Sequence, residues 1–263
     1  MGDFERCIDF VYGIADRAAT TKVPSTYGVV YFDLNVPNVW SRNYLLATEN
    51  LDRASAEELA TETDRIMRER GFVHRKVEMI DAETGDRLAA GFRKLGWKAE
   101  CDVIMVARRE PDRQADTSIV DEVSVDELVP AWTEGWRSDP DVLGDAVIRE
   151  LIENKRAMND VVETRFFAAR VDGEVASYCE LYSDGSIAQI ENVLTLERFR
   201  NRGLARATVS RARDETHAGG HQLIFLIADR DDWPRKLYEK LGFDEVGRIW
   251  EFVLPRASGT TAE

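Results

Sequence analysis

The stretch that most constrains this chain is Arg200-Asn201-Arg202-Gly203-Leu204-Ala205, set between two patterned segments. Before it, Ile187–Leu196 is apolar and β-branched with a polar member at alternate positions, the pattern of a strand. After it, Leu204, Ala205, Thr208, Val209 and Ala212 recur at helical spacing and share one face. The glycine-containing loop therefore opens a helix. The first backbone N–H groups of a helix have no partner within it, and together with the helix dipole they make a site for an anion. Gly203 lets a ligand approach the backbone closely. The charge distribution points the same way. The chain carries a formal charge of -14, yet Arg198, Arg200, Arg202, Arg206, Arg211 and Arg213 crowd into this one segment. A basic island in an acidic protein suits a multiply phosphorylated ligand.

A second stretch lies downstream: Lys236-Leu237-Tyr238-Glu239-Lys240-Leu241-Gly242-Phe243, a short helix ended by glycine before a strand. An echo of it occurs in the first half, where Phe92-Arg93-Lys94-Leu95-Gly96-Trp97 parallels Tyr238 to Phe243. In both copies a strand follows at the same distance, Val103–Ala107 and Ile249–Val253. The repeat aligns the helix after Ser55 with the helix after Arg202.

Taken in order, the first half reads as a helix to Ala19, a loop marked by Pro24 and Gly28, and strands at Val29–Leu34 and Asn43–Thr48. A helix capped by Ser55 and Glu58 follows, then a strand at Val77–Ile80, a helix from Asp86 to Leu95 and a strand at Val103–Ala107. Glu110–Ser118, polar and carrying Pro111, reads as a linker. The second half opens with a strand at Ile119–Val123 and a second capping box, Ser124 with Glu127. Pro140 breaks the helix that follows, and a second helix starts at Asp145. Hairpin strands meet at Asp172-Gly173 and lead into the Gly-loop strand. Pro255–Glu263 reads as a tail.

With its two motifs in this order, the segment from about Ile119 to Leu254 resembles the GNAT superfamily of acyl-CoA-dependent N-acyltransferases, whose signature is Arg/Gln-x-x-Gly-x-Gly/Ala. The resemblance implies an α/β (α+β) fold of two GNAT-like mixed-sheet domains. The one at 119–255 is complete and catalytic, the one at 1–110 is truncated, degenerate and non-catalytic, and 256–263 is a flexible tail. It implies acetyl-CoA as co-substrate, with Val193, Leu194 and Thr195 along its pantetheine arm. Asn201, Arg202, Gly203, Leu204, Ala205 and Arg206 would surround the pyrophosphate, and Arg200 contributes charge or fixes the loop. Family members often carry Asn seven residues before Tyr238; here the position is Asp231, a departure that puts that one contact in question.

Two residues are candidates for the chemistry. Glu191, a carboxylate within an apolar strand just before the loop, is the candidate general base. Tyr238, whose phenol has a reference pKa of about 10, is the candidate general acid. Gln189 cannot act as a base but can position a water. Trp132 and Trp136, four apart on one helix, either line an acceptor pocket or pack. Cys179 on its strand reads as core. His217 and His221 are separated by Gly219-Gly220, so no metal site is expected.

Composition limits what else is possible. A hydrophobic content of 44% with 32% charged residues describes a soluble globular chain. Three widely spaced cysteines and the absence of a signal-like N-terminus point to a cytoplasmic protein. No run is long enough to span a membrane, and the acidic balance argues against nucleic acid as partner. The expected acceptor is a small-molecule or peptide amine, and the expected state a monomer or homodimer. The alternative is a non-catalytic acyl-CoA-binding or sensing module, which needs the Gly loop but neither Glu191 nor Tyr238.

Overall fold

The structure, a computed structural model, describes residues 1–139, 141–142 and 144–254. The chain runs α1 (Asp3–Ala18), β1 (Thr21–Ser25), β2 (Gly28–Phe32), β3 (Tyr44–Ala47), α2 (Ala56–Arg68), β4 (Arg75–Met79), α3 (Ala82–Lys94) and β5 (Lys98–Ala107). It continues through β6 (Val120–Val123), α4 (Val125–Arg137), α5 (Asp145–Ala157), β7 (Glu163–Val171), β8 (Glu174–Ser183), β9 (Ile187–Thr195), α6 (Leu204–Ala218), β10 (Leu223–Asp229), α7 (Pro234–Lys240) and β11 (Phe243–Leu254). This is the mixed α/β fold expected. Among the described residues no helix is long and apolar enough to cross a membrane. The expected tail at 256–263, and Pro140 as a helix breaker, lie outside the described residues.

The chain forms two compact units, and their boundaries differ from 1–110 and 119–255. The larger unit comprises Met1–Ile14 and Val103–Gly247; the smaller comprises Ala15–Asp102 and, among the described residues, the closing segment from Arg248 to Leu254. The closing strands have changed places. The end of β5, expected to finish the first half, belongs to the larger unit, and the end of β11 belongs to the smaller. There β11 pairs antiparallel with β4, Trp250 opposite Met79 and Phe252 opposite Val77. Both strands leave the same helix–glycine–aromatic turn, with Gly96 and Gly242 in left-handed conformation, so each offers the same kind of strand to a sheet that lacks one.

In the smaller unit the strand order is β1-β2-β3-β4-β11. Only β3 and β4 are parallel, joined by α2. Its core includes Phe32, Leu45, Leu59, Phe92 and Phe252, with Phe92 stacked on Phe252 at 4.1 Å. Two readings are corrected here. Pro24 lies within β1, an edge strand, where its missing N–H costs no ladder bond. The second helix starts at Ala82 rather than Asp86, because Asp81 caps it by accepting from the Glu83 and Thr84 amides. Gly85 inside that helix is required by packing: a Cβ there would lie 2.1 Å from the Trp250 ring.

In the larger unit the order is β5-β10-β9-β8-β7-β6. β6 to β9 form an antiparallel meander, and β9 and β10 are parallel with α6 as their crossover. Phe167, Tyr178, Cys179, Val209 and Phe243 are fully buried in its core. α1 adds Phe10, edge-on to Phe225 at 5.7 Å. The expected linker is a strap: the Arg109 amide donates to the Gly242 carbonyl and the Asp112 amide to the Lys240 carbonyl.

Candidate active site

The site starts from an irregularity in β9. Across the β8–β9 ladder Tyr178 faces Leu194 and Glu180 faces Glu191, so one residue of β9 is extra at this point. Asn192 absorbs it in left-handed conformation, φ 50°, a backbone state that asparagine tolerates better than most side chains. Such a bulge bends its strand. On the other side of β9 the parallel pairing with β10 ends at Ile190 opposite Leu226. From Glu191 to Thr195, β9 therefore runs without β10 partners while still pairing with β8, so only its groups on the β10 side are freed from a ladder.

The Gly loop follows. Asn201 (φ 64°) and Gly203 (φ 77°) both take left-handed backbone and turn the chain into α6. Gly203 is the N-cap and makes no side-chain cap hydrogen bond, so the first amides of α6 stay open. The corresponding helix of the smaller unit differs. Ser55 accepts from the Glu58 amide at 3.2 Å, and the Glu58 carboxylate accepts from the Ser55 amide at 2.9 Å, closing the box.

The basic island divides into two groups. Arg198 is paired with Glu134 and Glu174, Arg206 with Asp112 and Arg211 with Glu215, while Arg213 donates to the Leu241 and Arg109 carbonyls. These serve the fold. Among the described residues Arg200 reaches only the Thr195 carbonyl, at 3.4 Å, and Arg202 lies over the Phe199 ring.

Loop, splay and α7 enclose a cleft of about 760 Å³. Val193, Leu194, Thr195, Arg200, Asn201, Gly203, Leu204, Ala205, Arg206 and Tyr238 line it. Arg202, Asp231 and Glu191, the candidate base, are not part of its lining. Asp231 is exposed and paired with Arg230, and its neighbour Asp232 stands at the cleft instead. The lining also includes Arg113, Trp233, Lys236 and Lys240, which sequence reasoning missed. Amphipathic phasing of α7 was a signal for the lysines; for Arg113, brought in by the strap, there was none. Among the described residues, Arg113, Arg200, Lys236 and Lys240 have no ion pair. The cleft thus gathers uncommitted positive charge on an acidic protein.

Tyr238 is buried on α7, edge-on to Phe243. Burial, then the charge of Glu191, hold its phenol well above the ordinary tyrosine range, so it is a proton donor at neutral pH. Glu191 is half-buried and accepts from Gln189 Nε2 at 2.6 Å. Its pKa is raised above the usual carboxylate range, chiefly by burial; Lys155 opposes the rise and Glu180 adds to it.

Residues 125–243 match the model of the Acetyltransferase (GNAT) family. This segment is a GNAT acetyltransferase domain. Solved structures extend the likeness in fold over the chain. A GCN5-related N-acetyltransferase from Kribbella flavida is 16% identical with a TM-score of 0.61, covering 97% of this chain and 96% of its own. A functionally unknown conserved protein from Staphylococcus epidermidis is 12% identical with a TM-score of 0.64, covering 92% and 96%. A tandem GNAT protein from the clavulanic acid biosynthesis pathway is 12% identical with a TM-score of 0.53, covering 74% and 68%. No curated protein matches the chain in sequence.

Other side chains of the GNAT domain have settled roles. Cys179 is fully buried with its thiol pushed up by burial and its Sγ 3.8 Å from the Thr208 carbonyl. His221 is held by Ser183 and the Thr216 carbonyl, and His217 accepts from Arg213. Trp132 is fully buried and packs, stacked on Trp136 at 5.8 Å and edge-on to Tyr178. Sequence reasoning also missed a buried group beside Glu191. Glu180 accepts from Lys155 Nζ at 2.8 Å, the Tyr182 hydroxyl at 2.5 Å and Asn192 Nδ2 at 2.6 Å.

Proposed function

We propose that the GNAT domain is an N-acetyltransferase that moves an acetyl group from acetyl-CoA to a primary amine by direct attack. The observation that carries this reading is the juxtaposition in one cleft of three features: unpaired β9 backbone, an uncapped helix start, and a buried phenol on the facing wall. A long, phosphorylated thioester has complementary parts. The open α6 amides and the free cations Arg113, Arg200, Lys236 and Lys240 take its phosphates. The β9 edge from Val193 to Thr195 offers hydrogen bonds to its amide-bearing arm. Bound acetyl-CoA supplies the activated acyl carbon.

Glu191 takes the proton from the amine as its nitrogen bonds to that carbon, and Tyr238 gives its proton to the departing thiolate. The products are an amide and free CoA. Tyr238→Phe removes the donor while keeping the ring in the core. Turnover, read as thiol release from acetyl-CoA across a panel of primary amines, is expected to fall about 10²-fold, with CoA affinity retained. A wild-type rate in this variant would remove Tyr238 from the mechanism.

The smaller unit is a structural cover, and each chain takes one CoA. Its matching helix start is closed by Ser55 and carries Glu57 and Glu58, with Glu62 one turn on, beside an open acidic pocket. That arrangement suits the helix dipole but repels a pyrophosphate. Calorimetric titration of the intact protein is expected to give one site per chain; two sites of comparable affinity would overturn the assignment.

A further inference from the structure

Glu180 and Glu191 stand directly opposite each other across the β8–β9 ladder. Opposed side chains share a face of the sheet, with Cβ atoms about 4.5–5.5 Å apart. Two carboxylates so placed repel one another unless a cation intervenes or one of them holds a proton. The cation is Lys155 of α5, which is nearly buried and makes its ion pair with Glu180, the fully buried member. Tyr182 and Asn192 add two more donors to Glu180, and Asn192 is the left-handed residue that creates the bulge. Glu191 receives one side-chain donor, Gln189.

We propose that Lys155 and Glu180 are positioning residues: a fixed ion pair that pins the Asn192 bulge and leaves Glu191 as the under-satisfied carboxylate at the splay. This rests on the reading of Glu191 as the base. One lysine charge is divided between two acids, and the division sets the pH at which Glu191 changes charge. The groups facing Glu191 are Lys155 from α5, Glu180 and Tyr182 from β8, and Tyr238 from α7. Burial raises Glu191, Glu180 raises it further, and Lys155 restrains it. Removing either partner therefore moves its titration, in opposite directions.

The test is a pH titration of the Glu191 carboxyl carbon by NMR on protein labelled at the glutamate carboxyl, assigned by the signal lost in Glu191→Gln. Lys155→Met leaves two facing carboxylates without their cation, and the Glu191 midpoint is expected to rise by about one pH unit or more. Glu180→Gln keeps one acceptor oxygen, enough for either Tyr182 or Asn192 but not both, and frees Lys155 for Glu191, so the midpoint is expected to fall. Lys155→Arg restores the charge and is expected to stay near wild type. If Lys155→Met does not fold, the sign of the Glu180→Gln shift decides. Midpoints that stay in place, or move in the same direction in both variants, overturn the proposal. Turnover of Glu191→Gln decides separately whether Glu191 is the base. Opposite shifts alongside a wild-type rate would leave the charge trio standing and remove the base.

Discussion

Replacing Gly203 with glutamate is expected to abolish measurable CoA binding. Gly203 holds a left-handed backbone at the uncapped start of α6, and a Cβ built there meets nothing within 4 Å. Bulk is therefore not the main obstacle. A left-handed conformation costs a non-glycine residue roughly 1–2 kcal/mol, which a folded helix can absorb. The decisive change is charge. A carboxylate at this position neutralises the open amides of α6 and repels the phosphates they would hold. Charge-assisted hydrogen bonds contribute roughly 1.5–3 kcal/mol each, so loss of two weakens binding by about 10²-fold or more. Gly203→Ala carries the backbone cost without the charge and is expected to bind far better than the glutamate variant. Calorimetry with CoA, with circular dichroism to verify folding, makes the comparison. Unchanged affinity in a folded Gly203→Glu protein would show that the phosphates lie elsewhere.

The second large effect is chemical. Glu191→Gln keeps shape and loses the proposed base, so turnover is expected to fall by about 10²–10⁴-fold, with acetyl-CoA affinity little changed. The pH profile adds a sign. Because burial raises Glu191, the wild-type rate should be lost as pH falls through a value above that of free glutamate, about 4.3. It should recover at higher pH, where the carboxylate is charged and can accept a proton. The glutamine variant should lack that limb. A variant that retains wild-type rate would mean that the amine arrives already deprotonated. CoA binding without turnover of any amine would favour a binding module.

What was legible in the sequence was local. Gly203 with the residues flanking it, and the helix bearing Tyr238, are each a run of consecutive residues, and their chemistry depends on neighbours a few positions away. The two serine capping boxes formed as written for the same reason. The Lys155–Glu180 pair was not legible. Its partners are 25 residues apart, and only the packing of α5 on the sheet joins them. Asn192 left a faint trace, an asparagine within a strand-forming run, but a bulge depends on the register of two strands. The six arginines were visible as a cluster; their division between fold and cleft was not, because Asp112, Glu134 and Glu174 come from other elements. Arg113 reaches the cleft because its segment is strapped to α7, although its composition reads as a linker.

The exchanged closing strands govern how the polypeptide comes apart. The chain passes from one unit to the other after Ile14, after Asp102 and after Gly247. A nick in the strap at Glu110–Ser118 therefore yields two fragments that each hold pieces of both units. Neither piece carries a whole sheet, so the cut protein has reason to stay together by strand pairing and core packing. A gene stripped of its first half would lose a strand of the larger unit's sheet along with it. Inheritance of that half then follows from threading, with no ligand of its own required to preserve it.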